Sequence, residues 1–156
     1  VVAAVVAWAV SKRLLDVEER RDKKADAAAR KEQAELTFVL GAKLTERPAD
    51  QMWSIFIYNG SRKPIYDIRV ESQRLDGKAD NHEMKLGALP PGRFAIPSHP
   101  TYHWGSPIDL DRSPERIDYL VKGKGLGMIK RATFLDAERN KWELVNGTEL
   151  KSADEV

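Results

Sequence analysis

Residues 52–70 read MWSIFIYNGSRKPIYDIRV. The first seven, 52–58, are apolar almost throughout and rich in β-branched and aromatic residues, which predicts a central strand. Asn59-Gly60-Ser61 opens a loop that closes at Pro64. From Ile65 the pattern alternates: Tyr66, Ile68 and Val70 fall on one face, and Asp67, Arg69 and Glu71 on the other. Period-two alternation marks a half-buried strand. A sheet is therefore the organising element.

Working outward, 36–44 (LTFVLGAKL) reads as the first strand, and 45–50 as a polar turn with Pro48. Downstream, 84–89 gives a short strand closed by Pro90-Pro91-Gly92, and 93–96 a second one stopped by Pro97 and Pro100. Residues 97–116 hold four prolines and read as an irregular excursion, with Ser113-Pro114 placed to cap a short helical turn. Strands are predicted again at 117–121, 129–135 and 141–145, the last two joined by the polar turn 136–140. Asn146-Gly147 is a type I′ hairpin pair that returns the chain through 148–150. Seven or eight short strands with frequent turns predict a mainly β fold, an antiparallel sandwich or small barrel.

These residues also carry a resemblance. Ile57, Asn59-Gly60-Ser61, Pro64-Ile65, Asp67-Ile68 and Val70, followed by Leu86 and Leu89-Pro90-Pro91-Gly92, resemble the middle strands and L-x-P-G turn of small immunoglobulin-like modules. Phe134-Leu135-Asp136 and Trp142, ahead of the Asn-Gly turn and Leu150, resemble a class of uncharacterised actinobacterial membrane-anchored proteins. The resemblance implies an N-terminal membrane helix, a charged juxtamembrane helix and an immunoglobulin-like β-sandwich. It implies no reaction. The excursion from 96 to 114 departs from that pattern, so the strand count across 93–128 stays open.

Composition divides the chain near residue 36. No Gly or Pro lies before it; all ten glycines, all eight prolines and eleven of the twelve aromatic residues lie after it. Helix breakers are thus absent from the first part, and turn formers fill the second. Residues 1–10, VVAAVVAWAV, carry no charge. A spanning helix needs about 20 apolar residues, so these ten are read as the C-terminal end of a longer transmembrane helix, with Trp8 at the interface. Residues 11–36 are read as a charged juxtamembrane helix. Its stretch 11–35 holds eight basic and seven acidic residues and sustains no heptad. Residues 37–151 form the sandwich and 152–156 a frayed tail. Lys12, Arg13, Arg20, Arg21, Lys23 and Lys24 follow the apolar run. Positive-inside reasoning then puts the β-domain of a single-pass protein on the cytoplasmic side.

The chain has no cysteine and a net charge of +2. These exclude a disulfide scaffold, a thiolate metal site and a strongly basic nucleic-acid binder. His99 and His103 are spaced i,i+4, but Pro100 between them spoils a helix, and no third ligand is evident. Gly123-Lys124-Gly125-Leu126-Gly127 lacks the Lys-Ser/Thr of a phosphate loop. Asp109 and Asp111 sit near Arg112 and Arg116, which neutralise them. Asn59-Gly60-Ser61 and Asn146-Gly147-Thr148 are formal glycosylation sequons that also suit turns. No cofactor, metal or catalytic set is expected. Phe94, Tyr102 and Trp104 are the expected partner contacts, an aromatic group in or beside the excursion. The expected function is a membrane-anchored, non-enzymatic protein-interaction or scaffold module, touching the bilayer through its N-terminal helix and binding no nucleic acid. The competing reading is a hydrolytic enzyme using Asp109, Asp111 and His99 or His103 within 97–116. It requires those side chains in one pocket.

Overall fold

The computed structural model describes residues 20, 21, 24, 28, 31–74, 77–122 and 128–152. The chain divides into two units, 1–32 and 33–156. In the first, the described residues are helical. The apolar run 1–10, most of the charged arm, the glycine-rich stretch 123–127 and the end 153–156 lie outside the described residues. Among those described, no helix is long and apolar enough to cross a membrane.

The second unit is built of strands. β1 (Thr37–Leu44), β2 (Trp53–Asn59), β5 (Gly92–His99) and β8 (Ile117–Tyr119) belong to one antiparallel sheet, in the order β5-β2-β1-β8. Two short strands, β6 (His103–Trp104) and β7 (Ile108–Asp109), share the outer edge of β5. β3 (Ile65–Ser72), β4 (Met84–Leu89), β9 (Ile129–Leu135), β10 (Lys141–Val145) and β11 (Glu149–Ser152) form the other sheet, in the order β11-β10-β9-β3-β4. The fold is thus mainly β, two antiparallel sheets around one core. A four-residue helix, α1 (Ala49–Met52), replaces part of the expected turn before β2.

Alternation decides which side chains meet. Val39, Ile55, Ile57, Phe94 and Ile96 from the first sheet pack with Ile65, Ile68, Val70, Phe134 and Leu144 from the second. Each such buried side chain contributes roughly 1.5–3 kcal/mol, and with no cysteine the core depends on them. The outer face of the first sheet is apolar too. Ala42, Leu44, Phe56 and Ala95 are buried there with Leu110, and Phe38, Tyr58, Ile108, Ile117 and Tyr119 pack around them. The chain between β7, on one edge, and β8, on the other, passes over this face and covers it. Tyr119 meets Phe56 edge-on at 4.9 Å. Burial on both faces is why the run 52–58 reads as apolar throughout.

The covering segment is held by charge. Arg47 donates to Glu115 at 2.9 and 3.0 Å, and this hydrogen bond holds the guanidinium above its usual pKa. Arg93 reaches Asp111 at 2.8 Å.

One end of the sandwich is closed by Asn59, Gln33 and Asp136, whose polar groups are engaged. Asn59, 1% exposed, donates to the carbonyls of Lys63 (2.9 Å) and Leu89 (3.4 Å), and its oxygen accepts from Ser61. Gln33 donates to Ser61 Oγ and to the carbonyls of Lys63 and Pro64, and accepts from the Ala137 N–H. Asp136 is fully buried in the β9–β10 turn. Oδ1 accepts from the N–H groups of Glu138 and Asn140 and from the Asn140 amide, and Oδ2 from Trp142 Nε1 at 3.0 Å. That carboxylate is what joins the two halves of the Asp136…Trp142 motif.

Several expectations need correction. The compact unit begins at Gln33, not at 37, because Ala34 is fully buried in the core and Gln33 bridges two loops. Pro97 does not stop β5, which runs on to His99. Gly105 N donates to the Pro97 carbonyl at 2.8 Å, so that side of Pro97 faces the outer edge. The missing N–H therefore falls in the gap between β6 and β7, where a strand tolerates proline. The 97–116 excursion is not wholly irregular, since it carries β6 and β7, and Ser113-Pro114 opens no helix. The Asn146-Gly147 turn forms as expected, with φ of 56° and 81°. Gly147 is required there for a second reason: a Cβ would stand 2.2 Å from the Val39 carbonyl oxygen.

Candidate functional site

The other end of the sandwich is open. α1, the start of β2, Gln73 and Arg74 after β3, Ala79 to His82 before β4, and the β5–β6 hairpin line a cleft of about 640 Å³. That volume lies within the usual range of ligand sites.

Each wall follows from local chemistry. Trp53 is the first residue of β2 and shares the inward face of Ile55 and Ile57, so its ring ends the core rather than sitting inside it. Lys43, its partner across β1–β2, places Nζ 5.5 Å from that ring. The β5–β6 hairpin turns through 100–102 and pairs His99 with His103. The i,i+4 spacing of these histidines is thus a hairpin relation, which Pro100 permits. His99 Nδ1 accepts from the N–H groups of Thr101 (3.0 Å) and Tyr102 (3.1 Å). An accepting Nδ1 leaves the ring proton on Nε2. Tyr102 lies over His99 with 4.9 Å between ring centres. His103 has φ 69°, and its ring stacks on His82 at 3.5 Å. Trp104 Nε1 donates to the His82 carbonyl at 2.7 Å, tying β6 to the segment before β4.

Ring faces and unengaged polar groups therefore share this end. Asp80 is held by Lys130 at 3.2 Å, and Asn81 donates to Ser72 Oγ. Among the described residues, nothing pairs with the Asp50 carboxylate or the Arg74 guanidinium, and no acceptor meets the Trp53 indole N–H. Thr37 Oγ1, far from the cleft, is the sole buried side-chain polar atom without a partner among them, so these cleft groups reach solvent.

The expected contact residues separate. Tyr102 is 74% exposed and Trp104 is half-buried in the cleft wall. Phe94 is 6% exposed on the inward face of β5, which removes it from any contact surface. Trp53, His82, Asp50 and Arg74 join the site without having been expected there. Trp53 had a signal, its position at the end of an inward-facing register. His82 had none, because only the tertiary fold brings it to His103.

The carboxylates of the hydrolytic reading are elsewhere. Asp111 pairs with Arg93, six residues from His99 along β5, a separation of about 20 Å at roughly 3.3 Å per residue. Asp109 accepts from the N–H groups of Asp111 and Arg112. The four side chains of that reading do not share a pocket. Among the described residues no three His, Asp or Glu side chains are grouped to hold a metal. The Asn59 sequon is buried, and Asn146 is an exposed turn residue. Comparison with family models, curated proteins and solved structures gives no match.

Proposed function

We propose that this chain is a membrane-anchored, non-enzymatic interaction module whose binding site is the open-end cleft. The observation that carries the reading is what meets in the cleft. The Asp50 carboxylate, the Arg74 guanidinium and the Trp53 N–H, which pair with nothing among the described residues, stand beside the rings of His82, His99, His103 and Trp104. Unpaired polar groups and aromatic surface in one concave place are what a binding site requires.

The sandwich is read as immunoglobulin-like. β2 pairs with β5 and β3 with β9 across two sheets, the pairing of that Greek key. The apolar run 1–10 supplies the end of a single transmembrane helix, and 11–36 a charged helix beyond it, with the sandwich on the cytoplasmic side. Membership of the actinobacterial membrane-anchored class fits the Asp136…Trp142 motif.

The test uses the full-length protein in its own cells. A photo-crosslinking residue at Tyr102 is expected to give defined protein adducts, and one at Lys151 on β11 none. The protein is expected in the membrane fraction until detergent is added. Equal labelling from both positions removes the cleft as the binding site, and release without detergent removes the anchor.

A further inference from the structure

We infer that Asn146 is a site of spontaneous covalent modification. Its side chain closes on the Gly147 nitrogen, loses ammonia and becomes aspartate or isoaspartate, and this unlatches the β10–β11 hairpin from β1.

The chemistry is internal to the turn. The Gly147 N–H gives its proton to hydroxide, and the nitrogen attacks Asn146 Cγ. A bond forms between that nitrogen and Cγ, the Cγ–N bond of the side-chain amide breaks, and the departing nitrogen takes a proton and leaves as ammonia. Water then opens the five-membered cyclic imide. Breaking the new N–Cγ bond gives aspartate. Breaking the original bond between the Gly147 nitrogen and the Asn146 carbonyl carbon gives isoaspartate, whose main chain runs through Cβ and Cγ. In sum one water is taken up and one ammonia is released, with no oxidant and no cofactor.

Structure selects among the four asparagines, at 59, 81, 140 and 146. A following glycine leaves the nitrogen most open to attack, which singles out Asn59-Gly60 and Asn146-Gly147. The fold then separates these two. Asn59 is 1% exposed, its amide donates to two carbonyls and its oxygen accepts from Ser61, so its Cγ is not free to turn toward Gly60. Asn146 is exposed, and among the described residues nothing pairs with its side chain. Asn81 and Asn140 are followed by His82 and Lys141, and their amides donate to Ser72 and Asp136.

The nucleophile is lightly held. The Gly147 N–H reaches the Leu144 carbonyl at 3.4 Å, long for an N–H···O bond. The Gly147 carbonyl accepts from the Val39 N–H at 2.8 Å, so the residue is anchored on the side that ring closure does not use. That bond is the latch. It joins the hairpin tip of the second sheet to β1, outside the stretch 42–44 that pairs with β8. Gly147 lies so close to the Val39 carbonyl that it has no room for a Cβ. Isoaspartate lengthens the main chain of this turn by one carbon, and so close a fit does not survive it.

The test incubates the full chain in detergent micelles at mildly alkaline pH and maps its peptides by mass spectrometry. The peptide carrying Asn146 is expected to gain the mass of an amide becoming an acid, in aspartyl and isoaspartyl forms that chromatography separates. It should react at least about tenfold faster than the peptide carrying Asn59, which must first open locally. In guanidinium chloride the two rates should come within about threefold, because both pairs are then free chain. The deamidated fraction, separated from the parent by its extra negative charge, should show a second population in which the Val39 amide exchanges at least about tenfold faster. No gain at Asn146 over the time in which the unfolded chain reacts overturns the modification. So does a folded-state rate at Asn59, Asn81 or Asn140 equal to that at Asn146. Unchanged Val39 exchange in the deamidated fraction overturns the unlatching.

Discussion

The two ends of the sandwich are made from similar residue types and do opposite things. At the closed end, Asn59, Gln33 and Asp136 turn every polar contact inward. At the open end, Asp50, Arg74 and the Trp53 N–H keep theirs outward. A buried polar group without a partner costs about 1–3 kcal/mol, so the closed end is the place where polar chemistry stabilises. An exposed one costs little, so the open end can hold groups in reserve for a ligand. The difference predicts that mutations at the closed end change stability and those at the open end change binding.

The sharpest break of this contrast is Asp136→Ala. It strands four donor groups, on Glu138, Asn140 and Trp142, and should cost about 4 kcal/mol in urea unfolding. Asp136→Asn keeps an acceptor for the turn but sets an amide against one donor, and should cost about half as much. Equal losses for the two would mean that the turn, not the carboxylate, matters.

Asn59→Ala comes next, at about 3 kcal/mol, because it frees two carbonyls and the Ser61 donors in a buried loop. Treatment of the folded protein with an oligosaccharyltransferase should leave Asn59 unmodified, since its amide is buried and engaged. Glycosylation there would show that the loop opens.

A smaller effect tests where the domain starts. A chain beginning at Thr37 should be about 2 kcal/mol less stable than one beginning at Gln33, through lost Gln33 hydrogen bonds and Ala34 burial. Identical unfolding curves would restore the boundary that composition suggested.

That boundary shows what local sequence could and could not carry. Alternation in 65–70 and the Asn146-Gly147 pair are local signals, and the strands they predict form. The apolar run 52–58 correctly marked a central strand, but not the reason for its second buried face, which is a segment more than fifty residues later. Pro97 reads as a stop because nothing local shows that its N side faces a gap. Phe94 reads as a surface ring because proline surrounds it, yet strand register turns it inward. His82 and His103 meet only through tertiary packing. The closed end was half visible, in the Asp136…Trp142 spacing, and the open end scarcely at all.

The least stability change is expected at the open end, where it is most informative. Asp50→Ala with Arg74→Ala removes one exposed charge of each sign and leaves net charge unaltered. Among the described residues neither side chain has a partner, so no hydrogen bond between them breaks and no donor is stranded. The double variant should unfold within about 0.5 kcal/mol of the parent. A loss above 1 kcal/mol would mean that these charges support the fold through the field around α1 and the end of β3, and the two ends would differ only in degree. A neutral result alongside lost crosslinking from position 102 would separate the roles cleanly, because the same pair would then serve a partner and not the sandwich.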